Sequence, residues 1–266
     1  MIHRLAALAA FLVATPALAQ EEGPRFCPNR PSLGESGCVT EPGHVQLEVT
    51  ALDWQLDRTP DQREDTVIAG DFQVRLGVTP TGELQVDWTP YGHVRTRDRL
   101  TGEIERAGRV GDVQVGWRQN LRNPDGKGLS FALEPSVTLP VGRTPVGDGT
   151  WSAGVVLPVT YDLNDKLNLG LTSEADAQAN ESGHGRHFAA LETVTLSYDL
   201  SDAFNVAAEV QVVQDNDPTE HVTQAVAAGS FGWQPRQGMQ LNALAGVGLN
   251  RDTPDVRLLT GASFVF

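Results

Sequence analysis

The stretch that decides the fold is LSFALEPSVTLPV, residues 129–141. Leucine, phenylalanine and valine recur at alternate positions on one face, whereas the other face carries small or polar residues such as Ser130 and Glu134. Successive side chains of a β-strand point to opposite faces, so this period of two predicts a strand and not a helix. The same alternation recurs at 151–163 and at the end of the chain, 254–266.

The alternation continues through most of the chain and predicts twelve strands, with no convincing helical period anywhere. Short turns rich in Gly, Pro, Asn and Asp follow the even-numbered strands, and longer polar connections at 58–64, 96–108 and 178–186 follow odd-numbered ones. Alternating short and long connections are typical of a transmembrane barrel. The predicted strands are 44–57, 65–78, 82–95, 109–122, 128–141, 151–163, 166–177, 187–200, 203–215, 221–234, 238–250 and 254–266.

Two features indicate that the apolar face meets lipid. It continues over five or six alternate positions on many strands, a length of about ten residues that suffices to cross an outer membrane at barrel tilt. Aromatic residues gather near the strand ends that meet the short turns, as in the interfacial girdle of a membrane barrel. The girdle residues are Trp117, Tyr161, Tyr198, Phe204, Trp233 and Phe266.

The fold expected is therefore all-β: a closed antiparallel transmembrane β-barrel of about twelve strands, spanning 44–266, with a short N-terminal plug or strap. A barrel must close, because unpaired strand edges are not tolerated in lipid. An even strand number leaves both chain ends on the periplasmic side. A secreted soluble β-protein remains an alternative, since it too shows alternation with a period of two.

Composition narrows the function classes. The chain has 20 Lys+Arg against 34 Asp+Glu, a net charge of −14, and a mean hydropathy of −0.24. No apolar run long enough for a transmembrane helix follows the N-terminus. An acidic chain is also a poor nucleic-acid binder. In a barrel only alternate residues face lipid, so a modest average hydropathy conceals a membrane face.

The N-terminus predicts export. Residues 1–19 combine Arg4, an apolar stretch and an Ala-x-Ala cleavage signal, which is the pattern of a signal peptide. The predicted location is the bacterial outer membrane. In an oxidising compartment Cys27 and Cys38, the only cysteines, are expected to form a disulfide that staples a periplasmic segment, 20–43.

The inward face of the barrel is the candidate functional surface. Its charges either orient a passing solute or simply pair across the lumen, and Glu134, Glu174 and Glu209 are the strongest candidates for a functional role. The residues expected to line the lumen are Glu48, Asp71, Arg75, Glu83, Asp87, Arg95, Asp112, Arg118, Glu134, Glu174, Glu209 and Arg257.

Chemistry beyond passage is not indicated. The His-x-Ser, G-x-S-x-G, Walker A and G-x-G-x-x-G patterns are all absent, so no catalytic residue, cofactor or enzyme activity is expected. His184 and His187 lie in a predicted outer loop, where solvated histidines are more common than a metal site. No metal site is expected.

The stretch NRPSLGESGCVTEPGHVQLEV, 29–49, resembles the entry segment of a bacterial outer-membrane family named for a MetA pathway of phenol degradation and also labelled transporter-like. The GASFVF ending is similar as well. The resemblance implies a barrel for uptake of small, often aromatic or hydrophobic compounds. The matching residues are Arg30-Pro31, Pro42-Gly43 and Gln46-Leu47-Glu48.

The leading functional hypothesis is a passive outer-membrane channel or transporter for small molecules. Its expected partners are outer-membrane lipid, a small-molecule solute and, through the C-terminal strand, the barrel-assembly machinery. A structural or adhesive barrel with partner-binding outer loops is the second hypothesis.

Overall fold

The computed structural model describes residues 23–266, so the predicted signal peptide, 1–19, lies outside the described residues. The described chain forms fifteen strands in one antiparallel sheet. No helix in this part of the chain is long and apolar enough to cross a membrane. The strands are β1 (Val45–Arg58), β2 (Gln62–Ala69), β3 (Asp71–Thr79), β4 (Gly82–Trp88), β5 (Tyr91–Asp98), β6 (Ile104–Arg109), β7 (Val113–Arg122), β8 (Leu129–Leu139), β9 (Ser152–Asp162), β10 (Leu167–Ala179), β11 (Arg186–Ser201), β12 (Phe204–Asn216), β13 (His221–Arg236), β14 (Met239–Gly248) and β15 (Val256–Val265).

The sheet closes on itself. β15 pairs with β1, and the ring β1, β3, β4, β7 to β15 contains twelve antiparallel strands. The two ends of the ring meet through backbone hydrogen bonds between Val45 and Phe266, with N···O distances of 3.1 and 2.9 Å. The predicted closed barrel of twelve strands is confirmed. We call the end that holds Gly23, Phe266 and the tight turns the turn end, and the opposite end the loop end.

Three strands of the ring are broken near mid-height, where the sequence predicted continuous strands at 65–78, 82–95 and 109–122. β2 continues β3, β5 continues β4, and β6 continues β7. Gly70 and Pro90 lie at two of the breaks, and Gly70 has a φ of +70°. A positive φ interrupts an extended strand, and proline has no N–H to give to a ladder. The prediction of unbroken strands was wrong at Gly70 and Pro90 for these local reasons, and the third break lies at 110–112.

The three extra strands form an extension at the loop end, together with the second half of β1. The loop predicted at 96–108 is therefore wrong in part, since it contains the end of β5 and most of β6. The second edge of β6 has no strand partner among residues 23–266. Beside it, the Asp112 carboxylate accepts backbone N–H groups of Gly142 and Asp148, both at 2.7 Å, and so anchors the loop between β8 and β9.

Burial is inverted relative to a soluble protein. In β8, Leu133 and Val137 are 42% and 44% exposed, whereas Ser130 and Glu134 are 0% and 4% exposed. A soluble sandwich or barrel would bury the apolar face and expose the polar one. The apolar outer surface instead suits lipid, and the polar inner surface forms the lumen of a transmembrane barrel.

The predicted girdle residues lie on the outer surface toward the turn end. Phe204 stacks on Trp233, with ring centroids 6.1 Å apart and planes inclined by 9°. The terminal Phe266 stacks on Phe264 at 6.3 Å and is 69% exposed. The remaining members are Tyr161 and Tyr198, near the ends of β9 and β11, and Trp117, which lies in the middle of β7.

A charge on the outer surface tests the lipid assignment. We expect Leu171→Arg to lower the free energy of unfolding by about 2–4 kcal/mol, because Leu171 faces outward in the middle of β10 and an arginine at mid-membrane must shed its hydration. The measurement is a urea titration of the barrel folded in phospholipid vesicles. Asp165→Arg, in the exposed turn before β10, is the matched control and should change this free energy by less than about 0.5 kcal/mol. Equal costs at the two positions would contradict the lipid assignment.

Candidate functional site

A plug fills the turn-end half of the lumen. It is formed by residues 23–43, the described part of the predicted N-terminal segment. Val39 and Thr40 are fully buried. Cys27 and Cys38 are joined by a disulfide, with Cα atoms 5.8 Å apart, and both residues are buried. A covalent loop of this kind reduces the number of conformations open to the segment.

One guanidinium holds the disulfide loop. Arg75, on β3, donates to the carbonyl oxygens of both Cys27 and Cys38, the latter at 2.9 Å. The same group contacts the carboxylates of Glu48 at 3.0 Å and Glu83 at 2.8 Å. All three charged side chains are fully buried. A buried ion is tolerated only when its partners and hydrogen bonds are in place, so this cluster depends on the plug being seated.

A second arginine extends the cluster. Arg118, on β7, donates to Glu134 at 2.6 Å and also bonds to Glu35 of the plug. Its side chain is fully buried. The carboxylates outnumber the two guanidiniums, and plug backbone N–H groups supply the remaining donors. Glu83, for example, accepts the Thr40 N–H at 2.6 Å.

The far side of the plug is held by fewer and mostly uncharged partners. Glu209, on β12, accepts the Ser32 hydroxyl and the Leu33 N–H, both at 2.7 Å. Thr172, on β10, accepts the Glu35 N–H at 2.7 Å. The plug is therefore bound to charged groups on β1, β3, β4, β7 and β8, and more lightly to β10 and β12.

A cavity of about 250 Å³ remains between the plug and the lightly bound side of the wall. The barrel contributes only neutral, mostly small or amide side chains to it, and the charged cluster lies across the plug. The plug lines the other side of the cavity, and its Arg30 and Glu35 are the charged residues of the lining. The wall residues are Thr160, Asn168, Gly170, Thr195, Ser197, Asn205, Ala207, Ser230, Gln234 and Gln240.

A second cavity, of about 520 Å³, opens at the loop end and is acidic. His187 lies between two of its carboxylates, with Nε2 2.7 Å from Asp215 and Nδ1 3.3 Å from Asp217. The expectation that His187 is solvated was wrong, because its side chain is only 6% exposed. No group of three or more metal-ligating side chains among residues 23–266 is arranged to hold a metal ion. The acidic residues of this cavity are Asp148, Glu181, Asp215, Asp217 and Glu220.

Two carboxylates of the loop-end cavity, which we call the mouth, have pKa values shifted in opposite directions. The hydroxyl and backbone N–H of Thr219, with the Glu181 N–H, lower the pKa of Asp217 to about 2. Burial, followed by repulsion from Asp112 and Asp215, raises the pKa of Asp148. Asp217 is therefore ionised at neutral pH and contributes a negative charge to the mouth.

The structure places eleven of the twelve expected lumen residues on or at the inner side. Glu48, Arg75, Glu83, Arg118 and Glu134 form the charged cluster. Beyond that cluster, Asp71 binds Arg30 of the plug, and Glu209 also holds the plug. Arg257 binds Asp53, and Asp87 accepts a hydrogen bond from Gln73. Asp112 anchors the loop between β8 and β9, and Glu174 lies on the inner face of β10 beside Asp176.

Arg95 is the exception, since it faces outward. Val94 is 8% exposed and faces the lumen, so its neighbour Arg95 points away from it. The cause is the break in the strands. Ala51, Gly70 and Pro90 lie in one row across adjacent strands, and the alternation of faces reverses beyond that row while the pairing register stays unchanged.

Sequence reasoning missed several of the groups that hold the plug. Gln46 brackets Cys27, accepting its N–H at 3.0 Å and donating to its carbonyl at 2.8 Å. Glu35, Thr172 and Thr40 were missed as well. Their partners lie far away in sequence, by 137 residues for Glu35 and Thr172, and no local pattern connects them.

The fold and lumen define a class: a plugged transmembrane β-barrel of the outer-membrane type. Within that class, the chain belongs to the family described as "Putative MetA-pathway of phenol degradation", whose sequence profile matches residues 28–266. The resemblance noted in the entry segment is confirmed. No curated protein is significantly similar in sequence.

Solved structures share the fold at low identity. An outer-membrane channel from Pseudomonas putida F1 superposes with a TM-score of 0.72 at 12% identity, covering 88% of this chain and 99% of that one. The transport unit of the autotransporter AIDA-I from Escherichia coli gives 0.54 at 10% identity, covering 90% and 92%. The KdgM porin in complex with oligogalacturonate gives 0.50 at 10% identity, covering 81% and 98%. These likenesses establish the barrel fold alone.

Proposed function

We propose that this protein is a passive outer-membrane channel for small molecules, in which solutes pass beside the plug. The observation that carries the proposal is the cavity of about 250 Å³ between the plug and β9 to β14, whose wall is neutral and polar. The KdgM porin and the Pseudomonas putida channel, which share the fold, are by their names a porin and a channel. The function requires no catalytic group and no cofactor.

The charge of the path favours neutral and cationic solutes. Its mouth carries Asp215 and Asp217. Below the mouth, Glu174 and Asp176 project inward from β10 and have no ion-pair partner within 4 Å among residues 23–266. A pore wall with unpaired carboxylates concentrates cations and repels anions. The family resemblance adds aromatic compounds as a solute class. Neutral aromatic molecules agree with both the resemblance and the charge of the path.

The primary test is a planar-bilayer recording of the purified protein, with liposome swelling in isosmotic lysine or glutamate. We expect small, steady conductance and faster swelling in the cationic amino acid than in the anionic one. Absence of both conductance and solute entry, with a heat-modifiable folded barrel on a gel, would contradict the channel proposal. It would not contradict the barrel fold.

Selectivity should depend on the β10 carboxylates. We expect E174Q/D176N to reduce the ratio of potassium to chloride permeability several-fold toward one, because it removes the two carboxyl groups below the mouth. The reversal potential in a potassium chloride gradient measures this ratio. D125N/D165N removes two charges from exposed turns at the turn end and is the matched control. A ratio unchanged in both variants would place the ion path elsewhere.

The export and assembly steps are also proposals. Residues 1–19 would direct secretion and be removed, with the turn end facing the periplasm. The terminal Phe266 is proposed as part of the signal read by the barrel-assembly machinery, because it ends the closing strand and lies exposed on the outer surface. Removing Phe266 should lower the fraction of folded barrel in outer-membrane preparations, and an unchanged fraction would contradict this role.

A further inference from the structure

The extension at the loop end separates its charges between its two faces. Directly paired residues on neighbouring strands share a face, and neighbours along a strand do not. The inner face, which includes Asp57, Glu64 and Glu105 in one row, is acidic. We name the opposite set the arginine face. It consists of Arg58, Arg63, Arg95, Arg97 and Arg106.

The arginines lie in two rows. Arg63, on β2, is opposite Arg58 on one side and Arg97 on the other, and in the second row Arg95 is opposite Arg106. Directly opposed residues have Cβ atoms about 4.5–5.5 Å apart, so like charges there repel. A protein of net charge −14 has gathered five of its cations on one side of four short strand segments. Mutual repulsion destabilises such an arrangement unless anions neutralise it.

The protein supplies part of that neutralisation. Asp65 contacts Arg63 at 2.8 Å and Arg95 at 3.5 Å, and Asp255 contacts Arg58 at 2.8 Å. No acidic side chain among residues 23–266 lies within 4 Å of the guanidinium of Arg97 or Arg106 (both are exposed). The arginine face therefore retains an excess of positive charge centred on β5 and β6.

The height of the arginine face matches lipid headgroups. Below it, the outer surface carries Trp54 and the half-exposed Tyr91, the aromatic residues expected at the membrane interface. The two rows lie two and four residues beyond the row of Trp54, which is about 5–10 Å along the barrel axis at the usual strand rise and tilt. The headgroup layer occupies a similar depth outside the hydrocarbon core.

We propose that the arginine face binds the phosphate groups of anionic glycolipid in the outer leaflet, of the lipopolysaccharide class. Guanidinium groups bind phosphate oxygens in bidentate fashion. The face is continuous with the lipid-facing surface, so its nearest partner in the membrane is a lipid. Bound lipid would also cover the region beside the unpaired edge of β6.

Binding of diphosphoryl lipid A in detergent micelles to the purified full-length mature protein tests the proposal. We expect R97A/R106A to weaken affinity about tenfold or more, since each lost guanidinium removes a charge-assisted contact. R122A/R236A, which removes two exposed arginines at the turn end, should bind as the wild type does. Monophosphoryl lipid A should bind the wild type more weakly, and inorganic phosphate alone should not compete at millimolar concentration.

Several results would overturn the proposal. They are equal affinity of the wild type and R97A/R106A, equal loss in R122A/R236A, or full competition by inorganic phosphate. A wild-type dimer that R97A/R106A converts to a monomer with unchanged lipid affinity would assign the face to a second copy instead. R97Q/R106Q gives the same comparison should the alanine variant fail to show the heat-modifiable folded form. Conductance should be unaffected, so this test is independent of the channel function.

Discussion

A variant that lacks residues 23–42 is expected to conduct several-fold more current per channel than the intact protein. The plug fills the turn-end half of a twelve-strand barrel, whose bore is too wide to be filled by wall side chains alone. Without the plug, water can enter and solvate Glu48, Glu83 and the two arginines, so the barrel should still fold. Single-channel recording in planar bilayers measures the change.

The matched control keeps the plug and removes only its disulfide. C27S/C38S should raise conductance far less than the deletion, because Arg75 still holds both carbonyls and Glu209 still holds Ser32. An unchanged conductance in the deletion variant, with the folded barrel verified by heat modifiability, would mean that the plug does not limit passage.

Replacing Arg75 with methionine is expected to lower the free energy of unfolding by about 3–5 kcal/mol, because it leaves Glu48 and Glu83 buried without their cation. It also leaves the carbonyls of Cys27 and Cys38 without a donor. Urea unfolding in phospholipid vesicles measures this difference. Arg122→Met, at an exposed position near the turn end, is the control and should cost less than about 0.5 kcal/mol.

The effects of Arg75→Met and of removing residues 23–42 on the free energy of unfolding should not be additive. In the protein without residues 23–42 the lumen is wet, so Arg75→Met should cost much less there than in the intact chain. A full cost in both backgrounds would show that Arg75 stabilises the wall alone and does not hold the plug.

Much of the fold could be predicted from the sequence, because the alternation within each strand shows which of its residues face lipid and which face the lumen. Alternation in 129–141 and its repeats gives the strand count, and a lipid face and a polar lumen follow from it. The same pattern placed Arg75, Arg118 and Glu134 inside, where the structure has them.

The row of breaks could not be predicted. Gly70 and Pro90 are ordinary turn signals, and nothing in the sequence aligns them on neighbouring strands. Their alignment reverses the alternation beyond them, which moves Arg95 from the lumen to the outer surface. Glu192 has no such cause, since the alternation of β11 is unbroken: it lies on the outer face with Val194 and Leu196 and accepts a hydrogen bond from Ser173 at 2.7 Å.

The contacts of the plug could not be predicted from the sequence for another reason. Each contact joins a segment without regular structure to a wall residue far away in the chain, and the Ser32–Glu209 bond spans 177 residues. Local patterns encode strands, whereas these contacts depend on how the closed barrel positions its inner face.

The most direct test of the central claim, that solutes pass between the plug and the neutral wall, is thiol modification during a bilayer recording. Thr195→Cys places a thiol in that cavity, and Leu196→Cys places one on the lipid face of the same strand. The two native cysteines are joined to each other and do not compete. A charged methanethiosulfonate reagent should reduce the current through T195C channels and leave L196C channels unchanged. Unchanged current through T195C channels, with labelling verified by mass, would contradict passage beside the plug.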